Sequence, residues 1–211
     1  MTGSKTIFWE VDVQRDFMLP DGKLYVPGAE KIIPNVKRLI DEARAGRVLL
    51  VSSGDAHAEN DPEFATFPPH CLKGTPGAEL LPEARAESIL RIPNEPSYKL
   101  PEKFNGTQQI LLEKQTLDVF KALHADEVVE RLGRDAEFVV FGVVTEFCVR
   151  CAAKGLLDRG RKVAVVTDAI EQLNPAEGRR ALDELKSLGA RFITTDQALA
   201  DLRVHAPSIG N

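Results

Sequence analysis

The sequence predicts an α/β fold of three layers, α/β/α, with helices on both faces of a central, mainly parallel sheet. Two observations carry that expectation. Apolar, β-branched runs of strand length alternate with segments of helical spacing, the pattern of successive βαβ units. One run, residues 138–144, is almost continuously apolar, as a strand covered on both faces requires.

Residues 6–13 read as the first strand. Residues 30–45 place Ile32, Ile33, Val36, Leu39 and Ile40 at helical spacing, and Gly46 ends that helix. Residues 47–53 form the second strand, 88–92 a short third and 109–113 a fourth. Two short helices are expected at 117–123 and 126–132. After the strand at 138–144, a helix runs over 145–159 until Gly160. A strand at 162–166, a helix at 175–188 closed by Gly189, and a strand at 191–194 complete the pattern. Residues 55–87 and 93–108 are rich in proline, glycine and charge. Loops of that length are usually functional, so both are expected to be active-site or surface loops.

The 211 residues are read as one domain, 1–211, long enough to bury a real core. An apolar content of 43% and a charged content of 28% fit a soluble globular protein. The net charge of -5 provides no basic footprint, which argues against nucleic acid or a membrane surface as partner. Neither a membrane-length apolar run nor a secretion signal is expected. Three cysteines are too few, and odd in number, for a disulfide scaffold, so a cytoplasmic location is expected.

Chemistry-bearing residues cluster where strands stop. Cys148 follows the 138–144 strand in the first turn of the next helix. Unpaired N–H groups and the helix dipole there would favour a thiolate and could hold an oxyanion. A buried, inert thiol is the alternative. Cys151 completes a CxxC with Cys148, so a thiol-redox protein is a second alternative, although the usual Pro or Gly between the cysteines is missing. Asp12 closes the first strand and could serve as base and acid toward a thiol, or merely cap a loop. Lys114 ends the apolar run Ile110-Leu111-Leu112; it would seek a carboxylate such as Asp12 if buried, or be solvated if not.

Asp55 and His57, two apart in extended backbone, send their side chains to one face. His70 follows two prolines. One carboxylate and two imidazoles suit zinc first, with manganese or iron as alternatives. Asp61 could add an outer or fourth oxygen. The competing reading is two loop histidines without a metal. Cys71 is expected to be a packed thiol, and His124 and His205 to be surface residues.

Three stretches resemble the isochorismatase-like cysteine hydrolases, and within them the nicotinamidase (pyrazinamidase) branch. They are Asp12-Val13-Gln14-Arg15-Asp16-Phe17-Met18, Pro69-His70-Cys71-Leu72-Lys73-Gly74-Thr75-Pro76-Gly77-Ala78-Glu79, and Gly142-Val143-Val144-Thr145-Glu146-Phe147-Cys148-Val149. The resemblance runs from about residue 6 to 200. It implies a catalytic triad of Asp12, Lys114 and Cys148, a metal on Asp55, His57 and His70, and a cis peptide at Val143-Val144. The backbone N–H groups of Val144 and Cys148 would form the oxyanion hole. Phe17, Phe67 and Phe147 would offer aromatic faces to a flat ring. Phe67 stands where the family usually has Trp, Ala56 where an aromatic is common, and Phe147 where Tyr is common. The implied activity is metal-assisted amide hydrolysis through a thioester, with nicotinamide as substrate. A hydrolase of another small amide or carbamoyl group, or a catalytically silent metal-binding module, are the alternatives. Family members often assemble as oligomers, so a homo-oligomer is a further expectation.

Overall fold

The structure is a computed structural model and describes residues 5–205. Seven strands form a single, wholly parallel sheet: β1 (Thr6–Val11), β2 (Leu49–Asp55), β3 (Ile89–Ile92), β4 (Gln109–Lys114), β5 (Glu137–Val143), β6 (Lys162–Glu171) and β7 (Arg191–Ile193). Their spatial order is β3-β4-β2-β1-β5-β6-β7. The helices are α1 (Arg15–Met18), α2 (Ile33–Arg44), α3 (Ala125–Arg131), α4 (Arg150–Asp158), α5 (Pro175–Ser187) and α6 (Thr195–His205).

Alternation along the strands sorts side chains between two cores. Phe8 of β1 joins Leu50, Phe141 and the α2 residues Val36, Leu39 and Ile40, with Ala198 and Leu199 of α6 alongside. On the opposite face, Ile7, Trp9 and Val11 meet Ile110, Phe138, Val128 of α3, Leu156 of α4 and Leu185 of α5. Those are the two outer layers that the sequence pattern foretold.

The chain leaves β1 toward β2 on one side, whereas β5 lies on the other, so the strand order reverses beside β1. Carboxyl ends at such a reversal leave a crevice for ligands. Register aligns those ends: Val11 pairs with Ser53 and with Gly142, and Asp55 pairs with Lys114. Gly142 is required there. Its φ is 119°, and a Cβ on it would lie 2.1 Å from the Val11 carbonyl oxygen. This residue therefore lets β5 close tightly on the end of β1, one residue before Asp12.

Several elements depart from the sequence pattern for local reasons. The helix expected at 117–123 shrinks to a 3-10 turn, Val119–Lys121, opened by the Asp118 carboxylate on the Phe120 N–H. The helix expected from residue 145 begins as a π turn, Thr145–Val149, and becomes α only from Arg150. Strand β6 runs past residue 166 to Glu171, because exposed Thr167 and Asp168 interrupt the apolar run without ending the strand; its register with β5 shifts between Val140 and Gly142. Helix α6 was not foreseen, although Ala198, Leu199 and Leu202 pack inward from it. The 93–108 loop is not loosely attached: Tyr98, Leu100 and Phe104 pack on the core of the second face.

Candidate active site

Four strand ends deliver the site. Asp12 follows β1 with a left-handed φ of 51°. Its carboxylate accepts a hydrogen bond from the Ser53 hydroxyl at 2.7 Å and pairs with the Lys114 ammonium at 2.8 Å. Lys114, at the end of β4, also bonds the Asp55 carboxylate and lies 3.7 Å from the Cys148 sulfur. All four side chains are buried. One ammonium thus touches two carboxylates and the thiol.

Burial raises the Asp12 carboxyl above the ordinary range; the nearby Lys114 charge opposes that shift and the Asp55 charge adds to it. Burial also acts on Asp55, but Lys114, His57 and His70 outweigh it and hold that carboxyl well below the usual range. Two neighbouring acids are thereby driven apart, one suited to carry a proton and one to stay an anion. Burial pushes the Cys148 thiol well up, against the pull of Lys114. The expectation that a helix N-terminus lowers this thiol is therefore corrected. The sulfur sits inside a π turn among buried groups, and loss of solvation outweighs the Lys114 charge. A resting thiol needs a base, and Asp12 is beside it.

The peptide between Val143 and Val144 is cis, as the resemblance implied. Val144 leads directly into the turn that carries Cys148.

Asp55, His57 and His70 converge as well. His57 Nε2 and His70 Nε2 each lie 3.6 Å from the same Asp55 oxygen. That separation is too long for a hydrogen bond. It matches atoms sharing one ion, since two ligands about 2.1 Å from a tetrahedral zinc sit roughly 3.4 Å apart. His57 Nε2 is buried with no hydrogen-bond partner, so an ion held there would satisfy an otherwise orphaned atom. His70 Nδ1 faces the Pro68 carbonyl at 2.8 Å, which fixes the proton there and leaves Nε2 free to ligate. Asp61 lies 3.0 Å from His57 Nδ1, the far ring nitrogen. His57, Asp61 and Glu63 form a second group whose potential ligand atoms all lie within 4.8 Å of one another.

Phe17, Phe67 and Phe147 all line one pocket together with Asp12, Asp55, His70 and Cys148. The Phe67 and Phe147 rings stand edge to face at 6.1 Å, and Phe17 lies 5.3 Å from the His70 ring. Cys71 is buried and unpaired, as expected, whereas His124 is half-buried, its ring 5.6 Å from that of Tyr98. The side chain of His205 lies outside the described residues. Cys151 is half-buried and is also unpaired.

Four contributors escaped the sequence reading. Gln14 brackets the Asp55 backbone, and Asp16 accepts the Cys71 N–H at 2.7 Å, holding the turn that presents His70. Both lie in the Asp12–Phe17 stretch, whose density of polar residues after a strand was the available signal. Glu63 lines the pocket as a third carboxylate, raised by burial and by Asp55; no spacing rule marked it. The Phe64 ring meets the His57 imidazole at a tilt, 5.2 Å away, and the His70 imidazole edge to face at 5.7 Å.

Comparison with known proteins agrees with this fold. The family model described as "Isochorismatase domain" matches residues 7–197. A nicotinamidase of Escherichia coli is 26% identical over 87% of this chain and 92% of its own. The crystal structure of a pyrazinamidase of Pyrococcus horikoshii in complex with zinc superposes with a TM-score of 0.72 at 29% identity, covering 90% of this chain and 99% of that one. An N-carbamoylsarcosine amidase from Thermoplasma acidophilum follows at a TM-score of 0.70 and 25% identity, covering 91% and 97%.

Proposed function

The chain belongs to the isochorismatase family, and we propose from that premise that it is a metal-assisted cysteine amidohydrolase, a nicotinamidase converting nicotinamide and water to nicotinic acid and ammonia. The carrying observation is the Lys114 ammonium, 2.8 Å from Asp12 and 3.7 Å from Cys148 while also bonded to Asp55. It joins a nucleophile and its base to a metal-ligating set.

The chemistry follows from those contacts. Asp12 takes the Cys148 proton as the sulfur attacks the carboxamide carbon. The N–H groups of Val144 and Cys148 receive the developing oxyanion. Asp12, whose buried carboxyl readily keeps a proton, then delivers it to the departing nitrogen, and ammonia leaves. Water, deprotonated by Asp12, cleaves the thioester and restores the thiol. Lys114 keeps Asp12 oriented and offsets its negative charge. Asp55, His57 and His70 would hold a divalent ion, zinc in our reading, whose Lewis acidity supplies an anchor for a ring nitrogen. Phe17, Phe67 and Phe147 would flank the ring.

The relationship to N-carbamoylsarcosine amidase keeps a second reading in play, hydrolysis of a carbamoyl amide. The pocket favours the first: Asp12, Asp55 and Glu63 line it together with apolar residues, and no arginine or lysine is among its lining residues. A substrate carboxylate would find no arginine or lysine side chain lining the pocket to receive it. Among the described residues no helix is long and apolar enough to cross a membrane. Three unpaired cysteines fit action in the reducing cytoplasm.

Ammonia release from nicotinamide and from N-carbamoylsarcosine, with and without chelator, tests the proposal. Nicotinamide should be the better substrate, and Cys148→Ala should abolish turnover while retaining the metal. Undiminished turnover in that variant would overturn the nucleophile assignment.

A further inference from the structure

Of the three large apolar side chains exposed among the described residues, Leu123, Leu173 and Leu188, only Leu173 lines the reaction pocket. It is 43% exposed, whereas Cys148, at the reacting end of the same pocket, is 6% exposed. Leu173 thus stands at the rim, partly in water and partly against whatever occupies the site. An exposed leucine on a mobile loop would have little influence on selectivity. Leu173 is not on such a loop.

The segment from Glu171 to Asn174 is tied to the turn that carries the nucleophile. The Thr145 hydroxyl donates to the Glu171 carbonyl at 2.8 Å. The next residue, Glu146, uses one carboxylate oxygen to accept the N–H groups of Leu173 and Asn174, at 3.0 and 2.7 Å. Asn174 then caps α5 through the N–H groups of Ala176 and Glu177. Gln172 presses so closely on α5 that a Cβ at Gly178 would lie 1.9 Å from its side-chain oxygen. The second Glu146 oxygen is buried without a partner, so among the described residues the side chain's hydrogen bonds go to these two loop amides.

We infer that Leu173 is a specificity-determining residue, limiting how far a ring may extend from the attacked carboxamide, and that Glu146 is the positioning residue that fixes it. Because Glu146 lies two residues before Cys148, the rim and the nucleophile are spaced by one rigid turn. Ring size is then gauged from the sulfur. The substrate class this implies is the compact, uncharged aromatic carboxamide. This rests on the amidase reading above and adds to it which residues discriminate.

The test compares nicotinamide with its benzo-fused analogue, quinoline-3-carboxamide, on the metal-loaded enzyme. Leu173→Ala should raise KM for nicotinamide with kcat nearly unchanged. It should also improve kcat/KM for the larger amide relative to nicotinamide by about 10-fold or more, the scale of a lost apolar contact. Glu146→Ala should shift the ranking the same way, and that shift should vanish in the Leu173→Ala background. Glu146→Gln, which keeps an acceptor oxygen, should preserve the wild-type ranking. If Glu146→Ala does not fold, Glu146→Asp, one methylene short of the loop, serves instead. An unchanged ranking in Leu173→Ala, with the wild type active on nicotinamide, would overturn this inference alone. A Glu146 effect that persists without Leu173 would overturn the positioning role. A wild type inert toward every aromatic amide would overturn the amidase reading and this inference with it.

Discussion

The Gln14 side chain and the Asp55 backbone exchange two hydrogen bonds: the Asp55 N–H donates to Gln14 Oε1 at 2.7 Å, and Gln14 Nε2 donates to the Asp55 carbonyl at 2.8 Å. The same Gln14 nitrogen reaches the Ala78 carbonyl at 2.7 Å. This amide fixes the strand end from which Asp55, a ligand in the proposed metal site, projects. Gln14→Ala should lower metal affinity about 10- to 100-fold, the usual effect of losing an outer contact to a ligand. Metal content after equilibrium dialysis against a competing chelator checks it; wild-type affinity in the variant would refute the role.

Lys114→Met removes the one cation between Asp12 and Asp55. Two buried carboxylates are left without compensation, and breaking such a pair costs about 3–5 kcal/mol. The variant should be inactive and unfold at lower urea. With metal stripped from both proteins, its deficit should shrink as pH falls from 8 to 5, because protonation removes the uncompensated charge. A deficit independent of pH would mean that lost packing, not charge, is responsible.

Glu10 supplies a pH dependence of its own. Burial in β1 pushes its carboxyl up to about 8, although the Ser52 hydroxyl and the Val13 N–H stabilise the anion. The folded chain therefore binds this proton more tightly than the unfolded chain, whose glutamates titrate near about 4.3. The stability it contributes is full below that lower value and is lost as pH rises through about 8. Urea unfolding at pH 5, 7 and 9 should show a decline on the order of a few kcal/mol that Glu10→Gln largely removes. Parallel curves for the two proteins would exclude the effect.

Gly142→Ala should place a Cβ 2.1 Å from the Val11 carbonyl oxygen. The strand must shift, at a cost of about 2–4 kcal/mol. Asp12 follows Val11 directly, so kcat should fall together with the thermal midpoint. A variant with both values unchanged would show that the two strands can part without consequence.

Most of the sheet was legible because strands buried on both faces, such as 138–144, leave an unbroken apolar signature. Strand-terminal Asp12, Asp55 and Lys114 were legible for a related reason: each is a charge set at the end of an apolar run. Legibility failed where local pattern and tertiary structure part company. Thr167 and Asp168 broke the run in β6 although the backbone pairing continues. The thiol of Cys148 looked activated from its place at a helix start, whereas its buried surroundings raise it. Glu63 and Leu173 reach the pocket from segments whose composition says only loop or turn, and their approach depends on folds of the backbone that no periodicity encodes.

The five residues from Asp12 to Asp16 serve three masters at once: Asp12 hydrogen-bonds the Cys148 thiol, Gln14 steadies Asp55, and Asp16 steadies the turn after His70. A single inserted or deleted residue in that stretch would throw base and both cation ligands out of phase together. Descendants of this enzyme could explore new substrates by altering the rim, while the pentapeptide would tolerate almost no change in length.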